Sequence, residues 1–120
     1  MADKLKGKIL GIGIDIENIE RFRKLPFIGN QSFYRKIFIE NEINYCLSFS
    51  DPYPHFAVRF SAKEALVKAL PYKVQDWLDM EVFFKKEKPH IKIRGLSNKI
   101  HLSLAHCNDY AIASVCIEAV

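Results

Sequence analysis

The 120-residue sequence predicts a single α+β domain, in which one long central helix packs against an antiparallel-rich sheet. Three observations support this fold class. An apolar segment with strand character comes first, a segment of helical periodicity occupies the middle, and short alternating segments fill the second half. No internal repeat, low-complexity tract or linker interrupts the chain, so we expect one domain over residues 1–120.

The first half contains the strand and the helices. Residues 8–16 form an apolar run that ends at a carboxylate, and we expect a buried strand there. A short helix over residues 19–24 follows, with Asn18 in the N-cap position. Residues 33–49 carry apolar side chains at helical spacing and predict one or two further helices. The proline-rich segment at residues 51–54 ends this region.

The strongest helical pattern covers residues 54–70. Its apolar residues recur about every 3.6 positions and predict a stripe that faces the core. The stripe consists of Val58, Ala62, Ala65, Leu66 and Ala69. Glu64 and Lys68 lie on the opposite side, four residues apart and therefore close neighbours.

The second half predicts four strands in two pairs. Residues 80–84 and 90–94 form the first pair, joined by a hairpin connection at residues 85–89. Residues 100–105 and 110–117 form the second pair, with a turn at Asn108-Asp109 between them.

Composition narrows the function classes. The share of hydrophobic residues is 49% and that of charged residues 27%, which indicates a globular protein. The formal net charge of +4 indicates a mild preference for anionic partners, but no block of basic residues supports nucleic-acid binding. The apolar N-terminal run is short, contains glycines and ends in aspartate, so we expect neither a signal peptide nor a membrane span. Three cysteines without a CxxC pair indicate no disulfide framework, and a cytoplasmic location follows as the default.

Two carboxylates stand among apolar neighbours, where a lone negative charge needs a compensating cation or donor. If the fold brings Asp15 and Glu64 together, they form a site for a hard cation such as Mg²⁺. The alternative is that Asp15 caps a helix and Glu64 pairs with Lys68, and spacing alone favours this second interpretation.

The basic residues of the central helix also leave two interpretations open. Arg59, Lys63 and Lys68 suit phosphate oxygens, or they form an ordinary charged helix face. His106 either contacts a substrate or is a hydrogen-bonded structural residue.

Three motifs together resemble one known family. Gly13-Ile14-Asp15 is followed six residues after the aspartate by Arg21, residues 59–69 read RFSAKEALVKA, and residues 103–106 read SLAH before Tyr110-Ala111. In order, spacing and length the chain resembles the small 4′-phosphopantetheinyl transferases of the holo-[acyl-carrier-protein] synthase type. The resemblance covers essentially the whole chain, and its second motif is the most specific.

The resemblance implies an enzyme of fatty acid biosynthesis. It would transfer the 4′-phosphopantetheine group from coenzyme A to a serine of apo-acyl carrier protein and release adenosine 3′,5′-bisphosphate. By similarity Asp15 and Glu64 are the Mg²⁺ ligands, and together with Lys68 they form the catalytic set. Lys68 would hold a pyrophosphate oxygen, Lys63 or Arg59 a neighbouring phosphate, and His106 would line the coenzyme site.

The resemblance also implies partners. Arg21, Arg23 and Lys24 would face the acidic carrier protein, and the family is typically a homotrimer with its sites at subunit interfaces. We expect neither nucleic acid nor membrane as a partner. Two segments depart from the family pattern: residues 70–73 (LPYK) replace a glycine-rich loop, and the acidic, proline-rich residues 50–54 replace a basic segment.

Two other hypotheses remain open at this point. In the first, the chain is a non-catalytic small basic domain that binds an acidic protein or RNA. In the second, it is an inactive relative that binds coenzyme A. The pair Asp15 and Glu64 argues against the first, because an anion-binding module gains nothing from two carboxylates that face its ligand. The intact motifs argue against the second.

Overall fold

The order of the elements in the computed structural model, which describes residues 7–119, confirms the predicted α+β class. Residues 1–6, the polar lead-in to the first strand, and residue 120 lie outside the described part. The elements are β1 (Ile9–Asn18), α1 (Ile19–Arg23), α2 (Gln31–Ile37), α3 (Glu40–Leu47), α4 (Tyr53–Ala69), a 3₁₀ turn (Trp77–Asp79), β2 (Met80–Lys85), β3 (Lys88–Ile93), β4 (Ile100–His106) and β5 (Tyr110–Glu118).

The strands form two antiparallel sheets rather than one. The first has three strands in the order β1-β5-β4, so the last strand of the chain lies at its centre. The second is the hairpin of β2 and β3. Its two turn residues, Lys86 and Glu87, have φ values of 51° and 66°. This left-handed backbone matches the twist of a tight two-residue hairpin turn.

The long helix α4 packs against the inner face of the three-stranded sheet. The five apolar residues of its predicted stripe are all buried, which confirms that prediction. Most of them contact the inner side chains of β5 and of the β2–β3 hairpin in one hydrophobic cluster. A second cluster lies around the N-terminal half of α4 and is rich in aromatic rings, with Tyr34, Phe38 and Phe56 at its centre. Apolar burial of this extent is the main stabilising contribution to the fold.

The first strand is not buried in the way its apolar run predicts, and that prediction is wrong. The side chains of Ile12, Ile14 and Ile16 are 69%, 65% and 58% exposed. Successive side chains of a strand point to opposite faces, and the isoleucines occupy the face away from α4. The opposite face carries glycines and carboxylates instead. The isoleucines therefore form an apolar outer face on the sheet.

The glycines of β1 allow its backbone to lie directly on α4. A Cβ atom on Gly13 would lie 1.9 Å from the carbonyl oxygen of Ala65, and one on Gly11 would lie 1.9 Å from that of Ala69. No side chain fits at these distances, so only glycine permits the contact. The same alternation turns the next two inward positions, Asp15 and Glu17, toward the helix, and both side chains are buried.

Lys63 lies inside the protein and pairs with Glu42. Its side chain is fully buried, and its Nζ donates to Glu42 Oε1 at 2.7 Å and to the carbonyl oxygen of Ile37 at 2.7 Å. Glu42 also accepts hydrogen bonds from the backbone N–H groups of Ile39, at 2.9 Å, and Val82, at 2.8 Å. Burial lowers the pKa of Lys63, while Glu42 opposes that shift. We expected Lys63 on a charged side of the helix that faces a ligand. The structure instead places its ammonium group inside the protein, where Glu42 and Ile37 accept its hydrogen bonds.

Replacement of Lys63 tests the structural role of this pair. Lys63→Met should lower the free energy of unfolding by about 3–5 kcal/mol, because it leaves the Glu42 carboxylate buried without a cation. The double variant Lys63→Met/Glu42→Gln should recover part of this loss, because glutamine removes the unpaired charge and its one oxygen still accepts from one of the two backbone donors. Urea denaturation measures both. Lys92→Met, which removes an exposed ion pair with Glu81, is the matched control. A loss for Lys63→Met as small as that of the control would contradict the role.

Candidate functional site

Asp15 is a buried carboxylate with one oxygen unsatisfied. Its Oδ1 accepts a hydrogen bond from Lys68 Nζ at 3.2 Å, and its side chain is only 9% exposed. Within residues 7–119, its Oδ2 is buried and has no hydrogen-bond partner. The hydroxyl of Ser61 donates to the backbone carbonyl of Asp15 at 2.9 Å and so fixes the strand on α4. A buried carboxylate oxygen without a donor is costly unless a cation satisfies it.

Glu64 of α4 lies between Ser61 and Lys68, which both contact Asp15, so the helix brings it near this carboxylate. Burial raises the pKa of Glu64, the negative charge of Asp15 raises it further, and Lys68 opposes both effects. The alternative interpretation of these residues is wrong on its first point, because Asp15 lies inside β1 and Asn18 caps α1. Lys68 Nζ contacts Asp15 and the carbonyl oxygen of Ile14, the latter at 2.9 Å. The ammonium group of Lys68 therefore pairs with the carboxylate of Asp15.

Glu17 is a third carboxyl group at this site, and the sequence interpretation missed it. Its side chain is 9% exposed, and its Oε1 lies 3.4 Å from Arg21 Nη1. Burial raises the pKa of Glu17 to about 8; the charges of Asp15 and Glu64 add to the shift and Arg21 opposes it. The sequence indicated this position, because Glu17 follows Asp15 by two residues in a predicted strand, and residues i and i+2 of a strand share a face.

The donor set at this site suits a hard divalent cation. Mg²⁺ binds to one or two protein carboxylates and completes its shell with water and phosphate oxygens. The unsatisfied Oδ2 of Asp15 and the neighbouring carboxylate of Glu64 fit that pattern. No three acidic, histidine or cysteine side chains converge on a single metal position in the described part of the chain. The geometry therefore fits a cation that two carboxylates hold and that a ligand completes.

Arg59 forms a second polar centre on another side of α4. Its guanidinium lies over the rings of Tyr45, at 4.3 Å, and Phe84, at 5.1 Å, and the residue is only 2% exposed. Its Nη1 donates to the carbonyl oxygen of His55 at 3.5 Å, while Nε has no hydrogen-bond partner among residues 7–119. A groove of about 270 Å³ opens beside it. A buried guanidinium that lacks a carboxylate partner is suited to bind an anion.

His55 lies one helical turn before Arg59 and contacts it, and His106 acts electrostatically on His55. The ring of His55 stacks on Phe49 with 3.7 Å between the ring centroids. Burial lowers the pKa of His55, and the positive charges of Arg59 and His106 lower it further, while Asp51 opposes them. His106 is exposed at the end of β4. The fold thus places Arg59 and His106, far apart in sequence, on either side of the same histidine, His55.

The basic residues of α1 and of its C-cap, Lys24, differ in how accessible they are to solvent. Arg21 is 74% exposed and Lys24 is also exposed. Arg23 is 34% exposed, and its guanidinium lies 2.7 Å from the carboxylate of Asp51 and 3.5 Å from that of Glu20. Its hydrogen bond lowers the pKa of Asp51. Arg21 and Lys24 are therefore more available to an external anion than Arg23.

The outer face of the three-stranded sheet reaches the carboxylate site. A groove of about 580 Å³ lies on this face and is lined by Ile12, Ile14, Cys116 and Lys68, among others. A second groove of about 460 Å³ is lined by Ile14, Ile16, Ile112, Asp15 and Lys68. An exposed apolar face of this kind marks an interaction surface. Anything that covers it comes close to Asp15 and Lys68.

The cysteines contribute little to the chemistry of the site. The three cysteines are unpaired, and burial raises the pKa of the Cys46 thiol to about 12. A thiol with so high a pKa carries almost no thiolate at neutral pH and is a poor nucleophile. No helix of the described residues is both long and apolar enough to cross a bilayer.

Comparison with known proteins identifies the family of the chain. The profile of the 4′-phosphopantetheinyl transferase superfamily matches residues 11–115. The chain is 39% identical over 113 residues to the holo-[acyl-carrier-protein] synthase of Thermodesulfovibrio yellowstonii, which covers 91% of this chain and 98% of the relative. It is 42% identical over 112 residues to that of Chlamydia caviae, over 85% and 91% of the two chains.

Solved structures give the same result. The crystal structure of a holo-(acyl-carrier-protein) synthase from Bacillus anthracis in complex with CoA (3′,5′-ADP) superimposes with a TM-score of 0.82 at 32% identity, over 93% of this chain and 98% of that one. The enzyme from Helicobacter pylori in complex with coenzyme A gives a TM-score of 0.78 at 27% identity, over 89% and 99% of the chains. The chain belongs to the 4′-phosphopantetheinyl transferase superfamily and, within it, to the holo-[acyl-carrier-protein] synthases.

Proposed function

We propose that the protein transfers the 4′-phosphopantetheine group from coenzyme A to a serine hydroxyl of apo-acyl carrier protein in an Mg²⁺-dependent reaction. A bond forms between the serine oxygen and the β-phosphorus of the coenzyme. The bond from that phosphorus to the bridging oxygen breaks, and adenosine 3′,5′-bisphosphate leaves while the serine loses its proton. The observation that carries this proposal is the buried pair Asp15 and Glu64, with the unsatisfied Oδ2 of Asp15 beside them.

Asp15 and Glu64 would hold the cation, and when bound it supplies positive charge that offsets the charge of the transferred phosphoryl group. Lys68 has a related role. Its Nζ is held by Asp15 and by the carbonyl oxygen of Ile14, yet its side chain remains 52% exposed. It is therefore positioned to donate its remaining N–H to a pyrophosphate oxygen, as a compact point charge.

Arg59 and His106 would bind the adenosine bisphosphate end of the substrate. The guanidinium of Arg59 is already fixed between two aromatic rings, so little side-chain entropy is lost when an anion binds. We assign Lys63 a structural role rather than a phosphate contact, because Glu42 and Ile37 occupy its ammonium group. Residues 50–54 carry no basic side chain, so we place the anion site at Arg59 and His106. The charges of these two residues also help to lower the pKa of His55, after burial as the main cause.

The exposed cations of α1 and of its C-cap suit an acidic carrier protein. Arg21 and Lys24 extend into solvent near the carboxylate site, since Arg21 contacts Glu17. Positive charge at this position accelerates the encounter with an acidic partner and makes the rate depend on salt. We further propose a cytoplasmic location, where such carriers and reduced coenzyme A coexist.

We also propose a homotrimer with sites at the subunit interfaces, as the family resemblance implies. The isoleucine face of β1 supports this assembly, because a second copy would remove a large apolar surface from water. The two grooves on that face are lined in part by Lys68 and Asp15, so a neighbouring subunit would sit beside the catalytic residues.

The transfer itself is the first test. With coenzyme A, Mg²⁺ and an apo-acyl carrier protein, the carrier should gain the mass of the phosphopantetheine group. Glu64→Gln should lower the initial rate by at least about a hundredfold, because one carboxylate of the cation site loses its charge. Glu20→Gln is the matched control, since Glu20 lies on the exposed side of α1. Absence of transfer with an active carrier, or full activity of Glu64→Gln, would refute the proposal.

Arg59→Met tests the anion site. Its affinity for adenosine 3′,5′-bisphosphate, measured by isothermal titration calorimetry, should fall about thirtyfold, because a charge-assisted hydrogen bond contributes about 2 kcal/mol. Methionine keeps much of the apolar volume between Tyr45 and Phe84, and thermal melting checks the fold. Arg94→Met, at an 84% exposed position, is the control. Equal affinities for the two variants would remove Arg59 from the site.

Sedimentation equilibrium tests the assembly. The wild-type protein should sediment at three times the 13.9 kDa mass of the chain. Ile14→Asp should sediment as a monomer, because it places a charge in the centre of the apolar face. Ile28→Asp, at an 84% exposed loop position, should remain trimeric. A wild-type monomer at micromolar concentration, or a trimer of Ile14→Asp, would contradict the proposed interface.

A further inference from the structure

An ion pair fastens the acidic segment before α4 to the end of α1. Arg23 is the last residue of α1, and its Nη2 donates to Asp51 Oδ2 at 2.7 Å, across 28 positions of the chain. Its Nη1 also lies 3.5 Å from the carboxylate of Glu20 in the same helix. The contact with Asp51 therefore joins α1 to a part of the chain that is distant in sequence.

Asp51 holds both sides of this junction. While Oδ2 accepts from Arg23, Oδ1 accepts from the backbone N–H of Tyr53, in the first turn of α4, at 3.3 Å. The hydroxyl of Tyr53 accepts in turn from the backbone N–H of Phe27, after α1, at 2.9 Å. Two polar connections thus tie the beginning of α4 to the region around α1, and Asp51 takes part in one of them directly.

The charge of Asp51 reaches the anion site. His55 follows Asp51 by four residues, and its carbonyl oxygen accepts from Arg59 Nη1 at 3.5 Å. Burial lowers the pKa of His55, and the negative charge of Asp51 opposes that shift. The hydrogen bond from Arg23 holds the pKa of Asp51 below its ordinary value, so this carboxylate is charged at neutral pH. A negative charge therefore stands beside the residues that would bind a phosphate.

We propose that Arg23 is a positioning residue of the anion site, where it neutralises Asp51 and fixes the segment that leads to His55. The inference rests on the function proposed above, which places the adenosine bisphosphate end of the coenzyme at Arg59. Without its partner, the Asp51 carboxylate would repel a bound phosphate, because like charges oppose each other most strongly where solvent is partly excluded. Paired with a guanidinium at 2.7 Å, it no longer does so.

The competing assignment is that Arg23 faces the carrier protein together with Arg21. The guanidinium of Arg23 already contacts two carboxylates, those of Glu20 and Asp51. Arg21 is 74% exposed, and its contact with Glu17 is longer, at 3.4 Å. An acidic group of a partner would have to displace Asp51 from Arg23, so it gains more from Arg21.

Calorimetric titration with adenosine 3′,5′-bisphosphate at pH 8 tests the proposal without turnover. Arg23→Met should bind this ligand about fivefold more weakly than wild type, because Asp51 is left unpaired near the bound anion. Lys36→Met removes an exposed cation from α2 and is the matched control for net charge. It should bind like wild type. Melting curves of the free proteins check that each variant is folded.

A double-mutant cycle isolates the part played by Asp51. Asp51→Asn should bind the ligand at least as tightly as wild type, since the opposing charge is gone. Arg23→Met/Asp51→Asn should bind within about twofold of wild type, because no unpaired carboxylate remains. A loss of affinity in the double variant as large as in Arg23→Met would overturn the proposal, since Asp51 would then have no part in the effect.

Steady-state transfer separates the anion site from the carrier surface. Arg23→Met should raise the KM for coenzyme A more than the KM for the apo-carrier. Arg21→Met should show the reverse order, because Arg21 is the more exposed cation. An increase confined to the carrier KM of Arg23→Met would assign Arg23 to the carrier and overturn the inference.

The same calorimetry distinguishes failure of this inference from failure of the proposed function. If wild type does not bind adenosine 3′,5′-bisphosphate, or if Arg59→Met binds it equally well, the anion site is refuted and the role of Arg23 with it. If Arg59→Met weakens binding while Arg23→Met matches wild type, the anion site stands and only the role of Arg23 is refuted.

Discussion

The close contact between the backbones of β1 and α4 is the constraint on which the remaining structure depends. Gly11 and Gly13 have no side chains, so the strand lies directly on the carbonyl groups of Ala65 and Ala69. Because strand side chains alternate, this contact sends the isoleucines outward and the next two inward side chains onto the helix. One steric requirement thus produces both the buried carboxylates and the apolar outer face.

Both polar centres hold buried polar atoms without a hydrogen-bond partner among residues 7–119, and this is typical of sites that bind a charged ligand. The site at β1 holds carboxylates that a cation would satisfy, and the site at Arg59 holds a guanidinium that an anion would satisfy. Coenzyme A with Mg²⁺ carries both complements: a cation at the pyrophosphate and a phosphate on the adenosine. Buried groups of this kind cost stability in the free protein and are typical of binding sites. The Lys63–Glu42 pair, which is satisfied internally, holds the intervening helices and β2 in place.

The sequence predicted the long helix, the hairpins and the α+β class well, because these depend on local periodicity and turn residues. Motif resemblance, rather than spacing, predicted that Asp15 and Glu64 lie together. The burial of Lys63 was not predictable from its helix, because its partner Glu42 is 21 positions away in the chain. The burial of β1 was predicted wrongly because the whole apolar run was assigned to the hydrophobic core. Its strict alternation from Gly11 onward contains the correct assignment, and it also indicates Glu17 as an inward residue.

The most direct measurement of the central claim is a crystal structure with Mn²⁺ and coenzyme A, in which anomalous scattering locates the metal. We expect one strong anomalous peak within coordination distance of the Asp15 Oδ2 and the Glu64 carboxylate, with the pyrophosphate completing the shell and the second phosphate at Arg59. Coordination of the metal by coenzyme A alone, with the Asp15 Oδ2 still unsatisfied, would contradict the account.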